Sequence, residues 1–291
     1  MISREVITAA LIGLAVTGVI PVIAGLVLLA VHKIKASSFW AGVLAYVIAF
    51  VVYAVLSGIL SVVMIASGGL DMTSMMNAAT EDNSTLSIIL TICLGVIFAL
   101  AMSICIGGCM KTRTFNAALS CGLGFGVSYL VTAAIGFYSS YSTFSMINSG
   151  AFDSMYAPLV SQGIYTKETV NMLKETFTGQ TVEDMMISIV SPIAVALMMT
   201  AAAIIIMRGV CAKKTFAGIG ISLVLFAAQL GLSGLIPNAA AAVIVTLAIG
   251  AAALIFAVRM KKDIVPPEKP SYSNDSFMQS IENAKSETDA K

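Results

Sequence analysis

Seven apolar stretches of this 291-residue chain are long enough to cross a membrane, and they limit its fold more than any other feature. A helix needs roughly 20 residues to cross the hydrocarbon core of a bilayer. Strands of a membrane β-barrel would instead alternate apolar and polar residues. The sequence therefore predicts an all-α fold, a polytopic membrane helix bundle with about seven transmembrane helices. The stretches are 6–31, 39–66, 86–110, 115–138, 185–207, 216–235 and 239–260.

Basic residues follow the first, third, fifth and seventh stretches, and this pattern predicts the orientation of the bundle. Short cytoplasmic connections of membrane proteins carry an excess of Lys and Arg. We therefore expect the N-terminus outside and the C-terminus in the cytoplasm, in a multi-pass protein of the plasma membrane. The four basic groups are Lys33 with Lys35, Lys111 with Arg113, Arg208 with Lys213 and Lys214, and Arg259 with Lys261 and Lys262.

Composition and charge restrict the partners that the chain can have. The chain is 58% hydrophobic and 11% charged, whereas soluble domains carry about 25% charged residues. Its net charge is only +1, so the basic pairs indicate topology and no nucleic-acid partner is expected. We expect its partners to be the lipid bilayer and a protein or peptide within the membrane.

The sequence predicts one folded domain with a polar tail. Residues 1–262 form the predicted transmembrane helical domain, which includes extracytoplasmic loops at 67–85 and 139–184. Residues 263–291 are rich in Pro, Ser, Asn and Lys. Such a composition cannot bury a core, so this segment is predicted to be a disordered cytoplasmic tail.

The longer outer loop is too long for a simple connection and should contain structure. Thr166 can cap a helix that ends near Phe177, because the intervening apolar residues share one face. Thr181, followed three residues later by Asp184, resembles a capping box at the start of the fifth stretch.

Prolines and glycines within the stretches predict local geometry. Pro21 and Pro192 each lack a backbone donor and should kink their helices. Such kinks can shape a cavity, although packing alone also explains them. Gly122 and Gly126 lie four residues apart, a spacing that lets two helices approach closely.

The apolar stretches hold almost no titratable group. All fifteen acidic residues lie outside them, and the only histidine, His32, lies where the first stretch ends. Proton relays, carboxylate ion sites and metal-dependent hydrolysis within a bilayer depend on such residues. Their absence from the stretches argues against these function classes.

Two short segments between residues 104 and 150 carry a family resemblance. The first reads Gly-Gly-Cys-Met-Lys and ends at Lys111, and the second reads Gly-Phe-Gly-Val-Ser-Tyr-Leu and begins at Gly124. They resemble the signatures Glu-Glu-x-Gly-Arg and Gly-His-Gly-Gly-x-Glu-Ala of the YhfC family, proposed intramembrane metalloproteases that are similar to the CAAX-protease group. The glycine frame remains, while the glutamates and the histidine have been replaced. The degenerate motif positions are Gly107, Gly108, Lys111, Phe125 and Tyr129.

The substitutions remove the chemistry that the resemblance would imply. A catalytic zinc needs about three protein ligands, typically His and carboxylate, and an open position for water. Glycine and phenylalanine supply neither a ligand nor a base. We therefore expect a pseudo-enzyme with no catalytic residue and no cofactor, which binds a membrane peptide, a lipid or a partner protein. The alternatives are an active intramembrane peptidase with unrecognised ligands, and a carrier or channel for an uncharged or lipidic solute.

Thiols offer one route to a metal site. Cys105 and Cys109 lie one helical turn apart, and other sulfur and imidazole groups occur near the same predicted side. Zinc or copper bound by thiolate and imidazole is therefore conceivable, under the enzyme alternative. Reversible acylation of Cys109 or Cys211 and plain packing are the other readings. The candidate ligands are His32, Cys105, Cys109, Cys121 and Cys211.

Overall fold

The computed structural model describes residues 1–31, 34–66, 84–163, 165–236 and 238–264, without the side chains of 60–66, 84–92 and 230–235. All regular structure in these ranges is helical, which confirms the all-α prediction. The helices are α1 (Arg4–Ala30), α2 (Ala36–Ala66), α3 (Ser84–Ile104), α4 (Phe115–Ser149), α5 (Ala151–Ser161), α6 (Lys167–Thr178), α7 (Val182–Cys211), α8 (Thr215–Leu235) and α9 (Ala239–Arg259).

Five helices in the described ranges are long and apolar enough to cross a membrane. They are α1, α4, α7, the Ala36–Ile59 part of α2, and α9 with the 3₁₀ turn Met260–Asp263 that follows it. The third and sixth predicted stretches also fall on helices, α3 and α8. The parts of them whose side chains are described, Cys93–Cys109 and Thr215–Gln229, are apolar but too short to be counted as spans by themselves. The count of seven spans and the orientation therefore stay predictions.

Helix α7 is the centre of the bundle. It packs against α4, α8 and α9, and its first half also contacts α1. Every residue from Met198 to Met207 is buried. A helix is buried on all sides only when other helices surround it. Helix α7 therefore forms the axis around which the other helices pack.

The outward faces of the surrounding helices are also apolar. Leu26 of α1 is 60% exposed, Val55 of α2 56%, and Val224 of α8 68%. Soluble monomers rarely expose large contiguous apolar patches, whereas a bilayer solvates such a face. The described part of the chain is therefore compatible with an integral membrane protein.

Helix α1 changes its winding in the middle. The segment Ala15–Val19 is a π-helical turn in which the Ile20 amide bonds to the Ala15 carbonyl. Pro21 follows at once and cannot donate to the carbonyl four residues earlier. A wider turn before the proline relieves this conflict without ending the helix. The first half of α1 contacts α4 and α7, while the second half packs mainly on α4, with Gly25 as its buried residue.

The longer predicted outer loop is mostly helical. Helix α4 continues eleven residues past the predicted end at 138 and ends at Gly150, which has a φ of 77°. Thr166 caps α6 by accepting a hydrogen bond from the Thr169 amide, as predicted. The predicted capping box of Thr181 and Asp184 is also present at the start of α7. The other predicted loop, 67–85, and the tail, 263–291, lie almost wholly outside the described residues.

The extension of α4 packs into a second core at one end of the bundle. Phe144 of this extension is fully buried together with Phe152 of α5 and Val170 of α6. The Asn148 side chain accepts a hydrogen bond from the Ile2 amide at 2.8 Å and donates to the Ile2 carbonyl at 3.1 Å. The N-terminus therefore lies at the same end as α5 and α6.

The basic groups gather at the opposite end. The Lys35 amide, just before α2, donates to the Ser120 hydroxyl of α4 at 2.9 Å. The Lys261 ammonium lies 5.5 Å from the centre of the Phe115 ring at the start of α4. We call this side of the bundle the basic end. Its basic residues in the described ranges are Lys35, Lys111, Arg113, Arg208, Lys213, Lys214, Arg259, Lys261 and Lys262.

Candidate functional site

Two of the degenerate motif positions lie in an aromatic cluster. Phe125 is fully buried, with its ring centre 5.2 Å from that of Phe98 and 5.3 Å from that of Tyr46, both edge to face. Tyr129 contacts the same two rings at 6.2 Å and 6.3 Å. The Tyr46 hydroxyl donates to Thr132 at 2.6 Å. These rings fill the space between α2, α3 and α4 as packed core.

The other three motif positions lie where α3 ends. Gly107 and Gly108 belong to the π-helical turn Cys105–Cys109, and both are exposed, as is Lys111. A Cβ at either glycine would meet no atom within 4 Å outside its own helix. The glycines are therefore not in contact with the aromatic cluster, and direct contacts do not join the two motifs into one site.

The cysteines are only partly brought together. Cys105 and Cys121 are buried in the same core, whereas Cys109, one turn after Cys105, is exposed. Cys211 borders this core, with its Sγ 3.9 Å from the Arg113 carbonyl oxygen. Among the described residues, no group of three His, Cys, Asp or Glu side chains is placed to hold a metal ion. His32 lies outside them, so the thiol and imidazole metal site stays a prediction.

A cavity of about 230 Å³ lies between the second half of α1, the start of α2, α4 and α7. We call it the apolar groove. Among the described residues of its lining, Thr200 supplies the only hydroxyl, and this hydroxyl already donates to the Ala196 carbonyl at 2.9 Å. The lining residues are Pro21, Ala24, Gly25, Leu28, Ile34, Phe39, Leu123, Gly126, Val127, Leu130, Ile193, Ala196, Leu197 and Thr200.

The apolar groove has two causes, which are the path of α1 and the presence of two glycines. Beyond the π-helical turn, α1 stays on α4 and leaves α7, and the resulting gap has Pro21 at its edge. A Cβ at Gly25 would lie 3.6 Å from the Phe39 ring, and a Cβ at Gly126 would lie 3.3 Å from Ala196. Larger side chains at these two positions would fill the groove floor. Pro21, which follows the π-helical turn, thus borders a cavity, and the predicted kink of α1 stays a prediction.

A larger cavity, of about 510 Å³, lies between α5 and α6, away from the membrane-spanning part of the bundle. Tyr156, Lys167 and Asn171 contribute polar groups to it. Asp153, also in its lining, is ion-paired with Lys174 at 2.8 Å. Because this lining is mixed in character, the cavity does not indicate one class of ligand.

Comparison with known proteins gives no family assignment. No protein-family model, curated protein or solved structure matches the chain. The resemblance to the YhfC family therefore rests on the two short segments around Lys111 and Gly124. The apolar groove, which lies between helices that are long and apolar enough to cross a membrane, is the feature from which a function can be argued.

Proposed function

We propose that this protein is a non-catalytic membrane protein that binds an acyl chain of a membrane lipid in the apolar groove. One observation carries the proposal: a cavity between helices that are long and apolar enough to cross a membrane has an almost wholly apolar lining, and its one described hydroxyl already donates to a backbone carbonyl. A polar solute would lose its hydration there and find few polar partners in return. A hydrocarbon chain has no such hydration to lose.

The size of the apolar groove favours a chain over a helix. One turn of an α-helix with side chains is about 10 Å across and 5.4 Å long, so it fills roughly 400 Å³. The groove offers about 230 Å³. Pockets for drug-sized molecules start near 300 Å³. A flexible acyl chain is narrow enough to enter, whereas a transmembrane peptide would have to stay outside and insert single side chains.

We propose no catalytic activity because of the residues that occupy the motif positions. We propose that the chain has a YhfC-type scaffold without the catalytic apparatus. Two points support this view: Phe125 is enclosed by aromatic rings, and Gly107 and Gly108 face open space without any ligand atom. A hydrolytic site needs a base within hydrogen-bond reach of the attacking group. The described residues of the groove lining offer none.

Photo-crosslinking tests the proposal. The purified protein in lipid nanodiscs is labelled with a phospholipid that carries a diazirine in its acyl chain, and labelled residues are mapped by mass spectrometry. Ala24 lies exposed on the groove wall, so Ala24→Phe should fill the groove and reduce labelling of Leu123 and Leu197 severalfold. Ala30→Phe is the matched control, because Ala30 is an exposed alanine of the same helix outside the groove lining.

Three outcomes would count against the proposal. Labelling of the groove residues no stronger than labelling of outward residues such as Val55 would show that the groove is not a site. Cleavage of a membrane peptide that stops with a chelator would favour the peptidase alternative. Flux of an uncharged solute into proteoliposomes, absent from empty vesicles, would favour the carrier alternative.

A further inference from the structure

The basic end has a strong excess of positive charge. Asp263 is the only acidic residue that the described ranges place there, against nine Lys and Arg residues. Most of these cations are exposed side chains that any soluble anion can approach. Two of them, the partly buried Arg208 and the exposed Lys214, also line a common cavity of about 290 Å³ between the end of α7 and the start of α8.

Close contact of two helices forms this cavity. A Cβ at Gly209 would lie 3.1 Å from the Gly218 Cα, so the pair of glycines brings α7 and α8 together. The turn between them is tight: Lys213 has a φ of 55°, and the Lys214 amide donates to the Gly209 carbonyl at 2.7 Å. The chain therefore returns directly over the end of α7, with Lys214 facing the same cavity as Arg208.

Arg208 is held in place by the segment after α9. Its guanidinium forms an ion pair of 2.8 Å with Asp263 and donates to the Met260 sulfur at 3.6 Å. Both members of the ion pair stay partly exposed. Asp263 compensates about one of the two cavity charges, so the cavity carries a net charge close to one positive unit.

The wall of the cavity that faces the bundle is apolar. Ile205 and Ile221 lie on it, and Ile221 is 42% exposed on the outer surface of α8. The cavity thus has cationic groups towards the end of the helices and branched aliphatic groups towards the spanning part. That arrangement matches a molecule with one anionic head and a hydrocarbon body.

We propose that the cavity between α7 and α8 binds an anionic phospholipid, with its phosphodiester between Arg208 and Lys214 and its acyl chains along the exposed Ile221. Basic pockets between transmembrane helices bind anionic headgroups on the same physical grounds. The site is separate from the apolar groove, which is lined by α1, α2, α4 and α7. Either site can therefore fail a test while the other stands.

The full-length protein in a neutral detergent provides the test, by native mass spectrometry with added short-chain phosphatidylglycerol or phosphatidylcholine. We expect saturable binding of phosphatidylglycerol and much weaker binding of phosphatidylcholine. Lys214→Gln should weaken phosphatidylglycerol binding roughly fivefold, the effect of one basic residue beside an anionic headgroup. Lys262→Gln is the matched control, because Lys262 lies at the same end outside the cavity lining, and it should change binding less than about twofold.

A second variant should act in the opposite direction. Asp263→Asn frees the Arg208 guanidinium from its ion pair, so binding of phosphatidylglycerol should become tighter by several fold. Equal losses for Lys214→Gln and Lys262→Gln would overturn the proposal in favour of a diffuse basic surface. Binding of glycerol phosphate as tight as that of phosphatidylglycerol would overturn it in favour of a site for soluble anions.

Discussion

The contact between α2 and α4 depends on a glycine, and exchanging that glycine tests the packing of the bundle. A Cβ at Gly124 would overlap the backbone carbonyl of Phe39 in α2. Because the obstacle is backbone, no change of rotamer removes the overlap, and the two helices must separate. Gly136 lies in the same helix and is exposed, and a Cβ there would meet no atom within 4 Å outside its own helix. The two glycines therefore differ in surroundings alone.

Opposite effects are expected from the same substitution at the two positions. Adding a methyl group to a packed contact costs about 1–3 kcal/mol, while replacing a helical glycine by alanine returns about 1 kcal/mol. Because the overlap is with backbone, the cost at Gly124 should lie in the upper part of this range, at about 2–3 kcal/mol. Gly124→Ala should therefore destabilise the bundle by about 1–2 kcal/mol net and lower its Tm by roughly 3–6 °C. Gly136→Ala has only the favourable term, so its Tm should rise by roughly 1–3 °C.

Thermal unfolding in detergent, followed by intrinsic fluorescence or by loss of monodisperse protein, measures both shifts. The wild-type protein and both variants are compared at the same protein and detergent concentrations. A Gly124→Ala variant as stable as the wild type, or two shifts of the same sign, would refute the close approach of α2 and α4.

Two further predictions concern the core. Phe125→Ala should destabilise the protein by about 3–5 kcal/mol, because it leaves a cavity beside the rings of Tyr46 and Phe98. Phe216→Ala, at a residue 90% exposed, should leave the Tm nearly unchanged, and similar losses for both variants would contradict the aromatic cluster. Gln229 is fully buried, and its amide nitrogen donates to the carbonyls of Ala194 and Thr246, while its amide oxygen has no partner among the described residues. Gln229→Leu should therefore change the free energy of unfolding by less than about 1 kcal/mol. It removes hydrogen bonds that average about 0.6 kcal/mol between membrane helices, but it also removes a buried acceptor without a described partner. A loss above about 3 kcal/mol, measured by unfolding in detergent, would show that the two hydrogen bonds matter far more.

Local sequence signals predicted the local structure well. Apolar runs located each of the long helices, because the lipid environment demands continuous apolar helices wherever the chain crosses it. Thr166 and the pair of Thr181 and Asp184 located two helix starts, since a cap depends on only three or four consecutive residues. Pro21 located the irregular turn of α1 for the same reason.

Contacts between segments that lie far apart in the chain could not be predicted from the sequence. The polar end of α4, from 139 to 149, reads as a loop, and it is helical because Phe144 and Asn148 find partners in α5, α6 and the N-terminus. The groove and the cavity beside Arg208 depend on how pairs of helices diverge or approach. Glycines at 25, 126, 209 and 218 were visible in the sequence, but their neighbours were not.

Direct imaging of the protein in lipid nanodiscs tests the central claim, that the apolar groove is a binding site for an acyl chain. We predict an elongated density between α1, α4 and α7, next to Leu123 and Leu197, that is stronger than density around the outward faces of α2 and α8 and disappears in Ala24→Phe. An empty groove, a groove closed by movement of α1 onto α7, or density that persists unchanged in Ala24→Phe would contradict the account.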